Sequence, residues 1–277
     1  MKKIIFFDVD GTLCQMDGTV PQSAKEAIKE AQAQGHKMYL CTGRSRPEIT
    51  PELLAMNFDG IIGAGGGYIE KNEEVLVHKK LPADAVKDII AYFDEHQIGY
   101  YLESNDGLFA SDNCQEVIEH QVLTYYKGDR DALAGTQSFL ALLAEATGKE
   151  MNLHNVNKIS FISIDHPFDK VAQQFGERFL LHHSTVPQFG PQSGELSMKG
   201  VDKQTAIDYV LNEYQLTSDD AIAFGDGNND IAMFQAVGYA VAMENATDEL
   251  KKYADAITAR AEDDGIAKSF AKLGLMS

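Results

Sequence analysis

Cysteine is scarce in this chain of 277 residues, which carries only Cys14, Cys41 and Cys114. The number is odd, and neither a CxxC pair nor another metal-type spacing occurs. These facts exclude a disulfide framework and a cysteine-based zinc site. We therefore expect free thiols in a reducing cytoplasm, with packing in the hydrophobic core as their role.

Long hydrophobic runs are missing as well. The first apolar run covers only Ile4–Phe7 and stops at Asp8, so it is too short for the apolar segment of a signal peptide. No run approaches the roughly 18 apolar residues that a membrane-spanning helix needs. The sequence therefore predicts a soluble, cytoplasmic protein.

Positive charge is also in short supply. The chain has 24 Lys and Arg against 42 Asp and Glu, which gives a formal net charge of −18. A surface this acidic repels phosphate backbones and anionic lipids, so nucleic acid and membranes are disfavoured as partners. The hydrophobic share of 44% and the charged share of 24% are typical of globular proteins and exclude disordered, collagen-like and coiled-coil classes. The length suits about two domains.

The N-terminal part alternates strands and helices. Ile4–Phe7, Lys37–Cys41 and a run from Gly60 are short, continuous and apolar, as buried parallel strands are. Helical patterns separate them, and the same alternation returns in residues 202–243. The pattern predicts the α/β class, with an open, Rossmann-like parallel sheet and right-handed crossovers.

The middle of the chain has a different pattern. Its apolar residues alternate with polar ones in short runs, and the helices between them are longer. We interpret this part as a second, α+β domain inserted into the first, with junctions at residues 79–82 and 185–194. The predicted division is 1–82 for the first part of the core, 83–185 for the insertion, and 186–277 for the second part of the core.

Three predicted strands end in polar residues of a particular kind. Asp8-Val9-Asp10-Gly11-Thr12 follows the first strand, Thr42-Gly43-Arg44 the second, and Gly225-Asp226-Gly227-Asn228-Asn229-Asp230 a later one. Ligands bind at the carboxyl ends of strands in open α/β sheets. Two close carboxylates repel unless a cation or a shared proton relieves them, and Asp226 and Asp230 offer the hard oxygens that Mg²⁺ prefers. A hydroxyl and backbone N–H groups at a helix N-terminus hold anions.

Two lysines lie near the start of the helix after residue 200. Lys203 falls in the first turn, where the helix dipole disfavours a cation unless an anion lies nearby. Lys199 precedes Gly200 and can turn to solvent. Carboxylates, a metal, a lysine and a hydroxyl together indicate a site for a phosphoryl group, whose transfer needs alignment and charge neutralisation.

These motifs resemble, in kind and order, those of the haloacid dehalogenase superfamily of phosphatases. The closest resemblance is to the Cof-type branch, subclass IIB, in which a large C2-type α/β cap is inserted between the second and third motifs. The resemblance covers the whole chain, although the cap matches only in position and size. It implies a haloacid dehalogenase core with an inserted C2B-type cap, and Mg²⁺ as the cofactor.

The resemblance also implies a role for each motif residue. Asp8 attacks phosphorus and becomes an aspartyl phosphate, and Asp10 protonates the leaving group and then activates water. The implied metal site uses Asp8, the backbone carbonyl of Asp10, Asp226 and Asp230. The implied phosphate-binding residues are Val9, Thr42, Gly43, Lys203 and Asn229.

One feature departs from the family, and one choice stays open. The family has an Asn-Gly pair after the third strand, where this chain has Gly65-Gly66-Gly67. Arg44 and Arg46 either reach a second anionic group on a substrate or are solvated.

The sequence thus predicts a Mg²⁺-dependent phosphatase of small phosphorylated metabolites, such as sugar phosphates or related monoesters, that acts as a monomer or small homo-oligomer. One alternative is a phosphomutase or phosphotransferase that uses the same aspartyl phosphate. Another is a phospho-accepting signalling module similar to a response-regulator receiver, which the inserted domain and the second aspartate Asp10 disfavour.

Overall fold

The computed structural model describes residues 2–15, 17–129, 137–184 and 186–276. Within them, the strands are β1 (Ile4–Phe7), β2 (Lys37–Cys41), β3 (Gly60–Gly63), β4 (Tyr68–Lys71), β5 (Glu74–His78), β6 (Gly99–Ser104), β7 (Gly107–Ala110), β8 (Val156–Ile162), β9 (Phe179–His183), β10 (Gly194–Met198), β11 (Ala221–Gly225), β12 (Tyr239–Met243) and β13 (Ala256–Thr258). The helices are α1 (Gln22–Ala33), α2 (Pro51–Leu54), α3 (Ala83–Glu95), α4 (Cys114–Tyr125), α5 (Gln137–Ala146), α6 (Phe168–Phe175), α7 (Lys203–Glu213), α8 (Ile231–Gln235), α9 (Asp248–Lys251) and α10 (Gly265–Leu273).

The chain forms two compact units. The core unit comprises Met1–Arg44, Ile49–His78 and Gly200–Ser277, and the inserted unit comprises Ser45–Glu48 and Lys79–Lys199. A four-residue piece from early in the chain therefore belongs to the inserted unit. Of the predicted junction at 185–194, residue 185 lies outside the described residues, and residues 186–194 fall within the inserted unit, which ends at Lys199.

The core unit is built on one sheet with strand order β13-β12-β11-β1-β2-β3-β4-β5. Its strands are parallel from β13 to β3, and β4 and β5 add antiparallel to that edge. Both faces are buried, because Ile5 and Phe7 of β1 pack with α1 and α10 while Ile4 and Phe6 pack with α7 and α8. This two-sided burial explains why the strand is a continuous apolar run.

The hairpin of β4 and β5 was not expected from the sequence. Its turn is made by Asn72 and Glu73, both with positive φ (48° and 67°). A two-residue turn of this kind favours Asn-Gly, and the glutamate in place of glycine weakens the sequence signal.

The inserted unit has an antiparallel sheet with strand order β7-β6-β8-β10-β9. Apolar side chains of β6, β8 and β10 form a core with α3 and α6, while α4 and α5 pack with a second cluster around Tyr101 and Ile162. The prediction of a parallel α/β core with an inserted α+β domain is confirmed. Cys14, Cys41 and Cys114 are buried and unpaired.

Candidate active site

The polar motifs continue the hydrogen-bond ladder of the parallel sheet beyond the ends of its strands. The N–H of Asp8 donates to the carbonyl of Phe224 at 2.9 Å, and the N–H of Thr42 donates to that of Ile62 at 2.9 Å. These residues lie within or directly after strands of one parallel sheet, so their side chains lie at one edge. Every site residue predicted from the sequence belongs to the core unit.

Three carboxylates meet at this edge. Asp8, Asp226 and Asp230 each offer an oxygen within 4.8 Å of the others, and Asp8 and Asp230 are buried. Burial, followed by repulsion from Asp230, raises the pKa of Asp8. The same two causes raise the pKa of Asp226 to about 6. The cluster is therefore costly to ionise without a further cation.

Lys203 supplies one positive charge to this cluster. Its ammonium Nζ lies 2.7 Å from Asp8 Oδ1 and 2.6 Å from Asp230 Oδ1, and the residue is 3% exposed. Burial lowers the pKa of Lys203, but Asp230 and Asp8 outweigh it and raise that pKa. The anions explain why a lysine is tolerated as the first residue of α7, directly after its N-cap Asp202. Lys199 instead is exposed and donates to the carbonyl of Glu177 at 2.8 Å.

Asp230 is fully buried and bonded at both oxygens. While Oδ1 accepts from Lys203, Oδ2 accepts from the N–H groups of Asp226 and Gly227 at 3.0 Å each. Gly225 makes room for this arrangement, because a Cβ there would lie 2.7 Å from Oδ2 of Asp230. Asp230 thus fixes the loop that presents Asp226.

The carboxylate of Asp10 is paired with Arg44. The guanidinium Nε donates to Asp10 Oδ2 at 3.0 Å and Nη2 donates to Oδ1 at 2.6 Å. Such a two-pronged pair fixes the plane of the carboxylate. One of the two arginines left open by the sequence therefore reaches an anionic group of the protein itself.

The remaining predicted phosphate-binding residues have different local surroundings. The Thr42 hydroxyl is buried and accepts the N–H of Arg44 at 3.1 Å, while space around the Cα of Gly43 is open. The carbonyl of Val9 accepts from Leu13 and Cys14 and so closes the turn after Asp8. Asn229 is exposed in the loop before α8.

Two contacts to Asp226 were not foreseen. The Thr12 hydroxyl donates to Oδ1 at 3.1 Å, and the Asn245 side-chain amide donates to Oδ2 at 3.2 Å. Asn245 also donates to the carbonyl of Gly11 at 2.9 Å and so ties two motifs together. It lies just beyond β12, so the rule that strand ends carry site residues applies to it as well.

The glycine triplet after β3 is explained at its middle position. Gly66 has φ +110°, and a Cβ there would lie 2.1 Å from the carbonyl oxygen of Asp202. The glycine therefore lets this loop approach the start of α7, where Lys203 begins the helix.

A family model described as haloacid dehalogenase-like hydrolase matches residues 5–270. The chain therefore belongs to the haloacid dehalogenase-like hydrolase family. Among curated relatives, 5-amino-6-(5-phospho-D-ribitylamino)uracil phosphatase YwtE of Bacillus subtilis is 28% identical to this chain. The alignment covers 96% of each protein. Phosphatase YwpJ of the same species is 24% identical over 96% of this chain and 97% of its own length.

Solved structures show the same fold. A protein from Geobacillus kaustophilus HTA426 superposes with a TM-score of 0.82 at 22% identity over the whole of both chains. The subclass IIB sugar phosphatase BT4131 superposes with a TM-score of 0.74 at 23% identity, over 99% of this chain and all of its own. The predicted superfamily and the predicted class of enzyme, a phosphatase, are confirmed.

Among the described residues, no helix is long and apolar enough to cross a membrane.

Proposed function

We propose that this protein is a Mg²⁺-dependent phosphatase that hydrolyses small phosphorylated metabolites through an aspartyl phosphate on Asp8. The observation that carries the proposal is the position of Lys203, whose ammonium lies between the carboxylates of Asp8 and Asp230. A buried nucleophile with a cation at 2.7 Å is suited to a trianionic transition state, because the charge is neutralised where it develops.

The residues at the site fit a magnesium ion. The donors are hard carboxylate oxygens within 4.8 Å of one another, and two of the three carboxyl groups have raised pKa values that a divalent cation would relieve. We infer that Asp8, Asp226 and the backbone carbonyl of Asp10 would hold Mg²⁺, with Asp230 supporting it from the adjoining loop. When bound, the ion would neutralise charge on the phosphoryl oxygens and help to align the group.

The first half-reaction joins Asp8 to phosphorus. One Oδ of Asp8 attacks in line, the bond from phosphorus to the leaving oxygen breaks, and a proton from Asp10 passes to that oxygen. Lys203 neutralises the developing charge from beside Asp8. In the second half-reaction Asp10 takes a proton from water, the water oxygen attacks phosphorus, and Asp8 leaves with its original oxygens.

Other groups of the core unit hold the phosphoryl oxygens in this proposal. They are the backbone of Val9 and of Gly43 and the side chains of Thr42, Lys203 and Asn229. Thr42 already accepts the N–H of Arg44, so its hydroxyl proton is directed elsewhere and can be donated to a phosphate.

Sugar phosphates and related monoesters are the proposed substrates. The relative YwtE is described as acting on a phosphorylated ribitylamino compound, and the structural neighbour BT4131 as a sugar phosphatase. Both descriptions name phosphate esters of polyhydroxylated compounds, which supports this class without selecting one member. A screen of phosphorylated metabolites, run beside Asp8→Asn, would select it.

The decisive experiment is turnover of p-nitrophenyl phosphate with Mg²⁺, with Ca²⁺ and with EDTA. We expect activity in Mg²⁺ only, because Ca²⁺ accepts more ligands at longer distances and would misalign Asp8. Acid-quenched enzyme reduced with borohydride should carry homoserine at position 8. Full activity in EDTA would refute the metal requirement. Transfer to a sugar hydroxyl would indicate the phosphotransferase, and a stable phosphoprotein without turnover the signalling module.

A further inference from the structure

Strand β8 contains an irregularity that changes the direction of one side chain. Its residues Val156 and Ile159 both pack into the apolar core of the inserted unit, although they are three positions apart. In the pairing with β6, Ser104 lies opposite Val156 and Glu103 opposite Lys158, which leaves Asn157 as an extra residue. This is a β-bulge, and it places Asn157 and Lys158 together on the face away from that core.

The side chain of Asn157 binds the segment Ser45–Glu48, which comes early in the chain but belongs to the inserted unit. Its amide Nδ2 donates to Ser45 Oγ at 3.0 Å and to Asn105 Oδ1 at 2.8 Å. Asn157 is 5% exposed and Ser45 is fully buried, so this contact is shielded from water. This hydrogen bond is costly to break, because the Ser45 hydroxyl oxygen would lose this donor, and Asn157 one of its acceptors, without gaining solvent.

Ser45 begins a closed turn. Its N–H donates to the Glu48 carboxylate at 2.7 Å, and the N–H of Glu48 donates back to the Ser45 carbonyl at 3.0 Å. Its residues Arg46–Glu48 lie against β7. The segment Ser45–Glu48 is therefore a compact turn, and its position is set by the inserted unit.

The residue before this segment is Arg44, which donates hydrogen bonds to both carboxylate oxygens of Asp10. Neighbouring Cα atoms are about 3.8 Å apart and joined by a rigid peptide plane. The position of Ser45 thus limits where the backbone of Arg44 can lie.

We propose that Asn157 is a positioning residue for the phosphatase reaction, acting through Ser45 and Arg44 on the orientation of Asp10. The inference rests on the proposed function for its kinetic part only. One path of covalent bonds and hydrogen bonds leads to Asp10, the proposed acid and base. It runs from the bulge in β8 through the buried Asn157–Ser45 hydrogen bond to the bidentate Arg44–Asp10 pair.

The first test needs no catalysis. Amide hydrogen exchange of residues 42–48 is measured in the full-length wild type, in Asn157→Ala and in Ser160→Ala. The control removes another buried hydrogen bond of β8, from Ser160 to Glu103, which involves neither Ser45 nor Asn157. We expect exchange in this stretch to rise about tenfold in Asn157→Ala and to stay unchanged in Ser160→Ala. Unchanged exchange in Asn157→Ala would overturn the proposal.

The second test is kinetic and uses p-nitrophenyl phosphate with saturating Mg²⁺. Asn157→Ala should lower kcat about tenfold with little change in KM, because alignment is lost and phosphate binding is not. Combined with Arg44→Lys, it should add nothing to the loss that Arg44→Lys causes alone. Additive losses, or a normal kcat despite faster exchange, would overturn the positioning role. A wild type without turnover would refute the proposed function, while the exchange experiment would still decide whether Asn157 holds Ser45.

Discussion

Arg44 holds both oxygens of Asp10, through Nη2 at 2.6 Å and Nε at 3.0 Å. The side chain of Asp10 is 65% exposed whereas that of Arg44 is 21% exposed, so the arginine is the anchored partner. An exposed carboxylate would otherwise sample several rotamers. The pair therefore restricts the residue that is proposed to carry protons in both half-reactions.

Substitution of Arg44 tests this restriction. Arg44→Lys keeps the charge but loses the planar fork, so we expect kcat/KM to fall about tenfold. The kcat/KM of Arg44→Met should fall further, because that variant also loses the charge. Steady-state kinetics on one substrate checks both, with thermal unfolding to confirm folding. Equal activity of Arg44→Lys and the wild type would show that the bidentate geometry is dispensable.

The two lysines near the start of α7 should behave very differently. Lys203→Met removes the cation beside Asp8 and should cost about 2–4 kcal/mol of transition-state stabilisation. It also leaves Asp8 and Asp230 buried without their partner, so its melting temperature should fall. Lys199→Met should cost well under 1 kcal/mol, since Lys199 is an exposed charge. The kcat/KM values of both variants test which lysine binds the phosphoryl group. Low activity in Lys199→Met together with normal activity in Lys203→Met would assign that role to Lys199 instead.

Asp8→Asn should abolish turnover and leave the fold intact. Burial and Asp230 raise the pKa of Asp8 despite the nearby lysine, so a neutral amide at this position relieves repulsion. The melting temperature in EDTA should therefore equal or exceed that of the wild type. Asp208→Asn, an exposed carboxylate of α7, is the matched control. Substantial residual activity in Asp8→Asn would exclude the covalent mechanism.

Metal titration separates Asp10 from Asp226. Asp226→Asn should chiefly weaken Mg²⁺ binding, because Asp226 belongs to the acidic triad. High Mg²⁺ should then restore part of its activity. Asp10→Asn should slow both half-reactions and respond little to added Mg²⁺. Activity measured against Mg²⁺ concentration checks the contrast, and the reverse pattern of rescue would exchange the two roles.

His36 makes the stability of the core unit depend on pH. Its Nδ1 accepts the N–H of Lys3 at 3.0 Å, and burial, followed by nearby cations, lowers its pKa. The neutral form is thus favoured in the folded state, so its contribution is complete above about pH 6.5 and is lost as pH falls through the lowered value. The stability difference between wild type and His36→Gln should shrink from pH 7 to pH 5. A difference that grows would contradict this, and His154→Gln is the exposed control.

Much of the candidate site follows from one rule, and the exceptions have physical causes. Asp8, Thr42 and Asp226 are predictable because the ends of neighbouring parallel strands meet at one edge. The Arg44–Asp10 pair is not predictable, since long side chains at a loop have many rotamers and several anions within reach. The bulge at Asn157 also leaves no local signal, because only its pairing with β6 reveals the extra residue.

The division of the chain into units has a consequence for modular exchange. Because Ser45–Glu48 belongs with Lys79–Lys199, the chain passes between the units four times rather than twice. The inserted unit is thus not a single cassette. Excision or swapping of residues 79–199 alone would leave residues 45–48 behind and would remove Asn157, the hydrogen-bond partner of Ser45. A chimaera with a foreign insertion should need a matching replacement of residues 45–48, and the two segments are expected to change together when the protein diversifies.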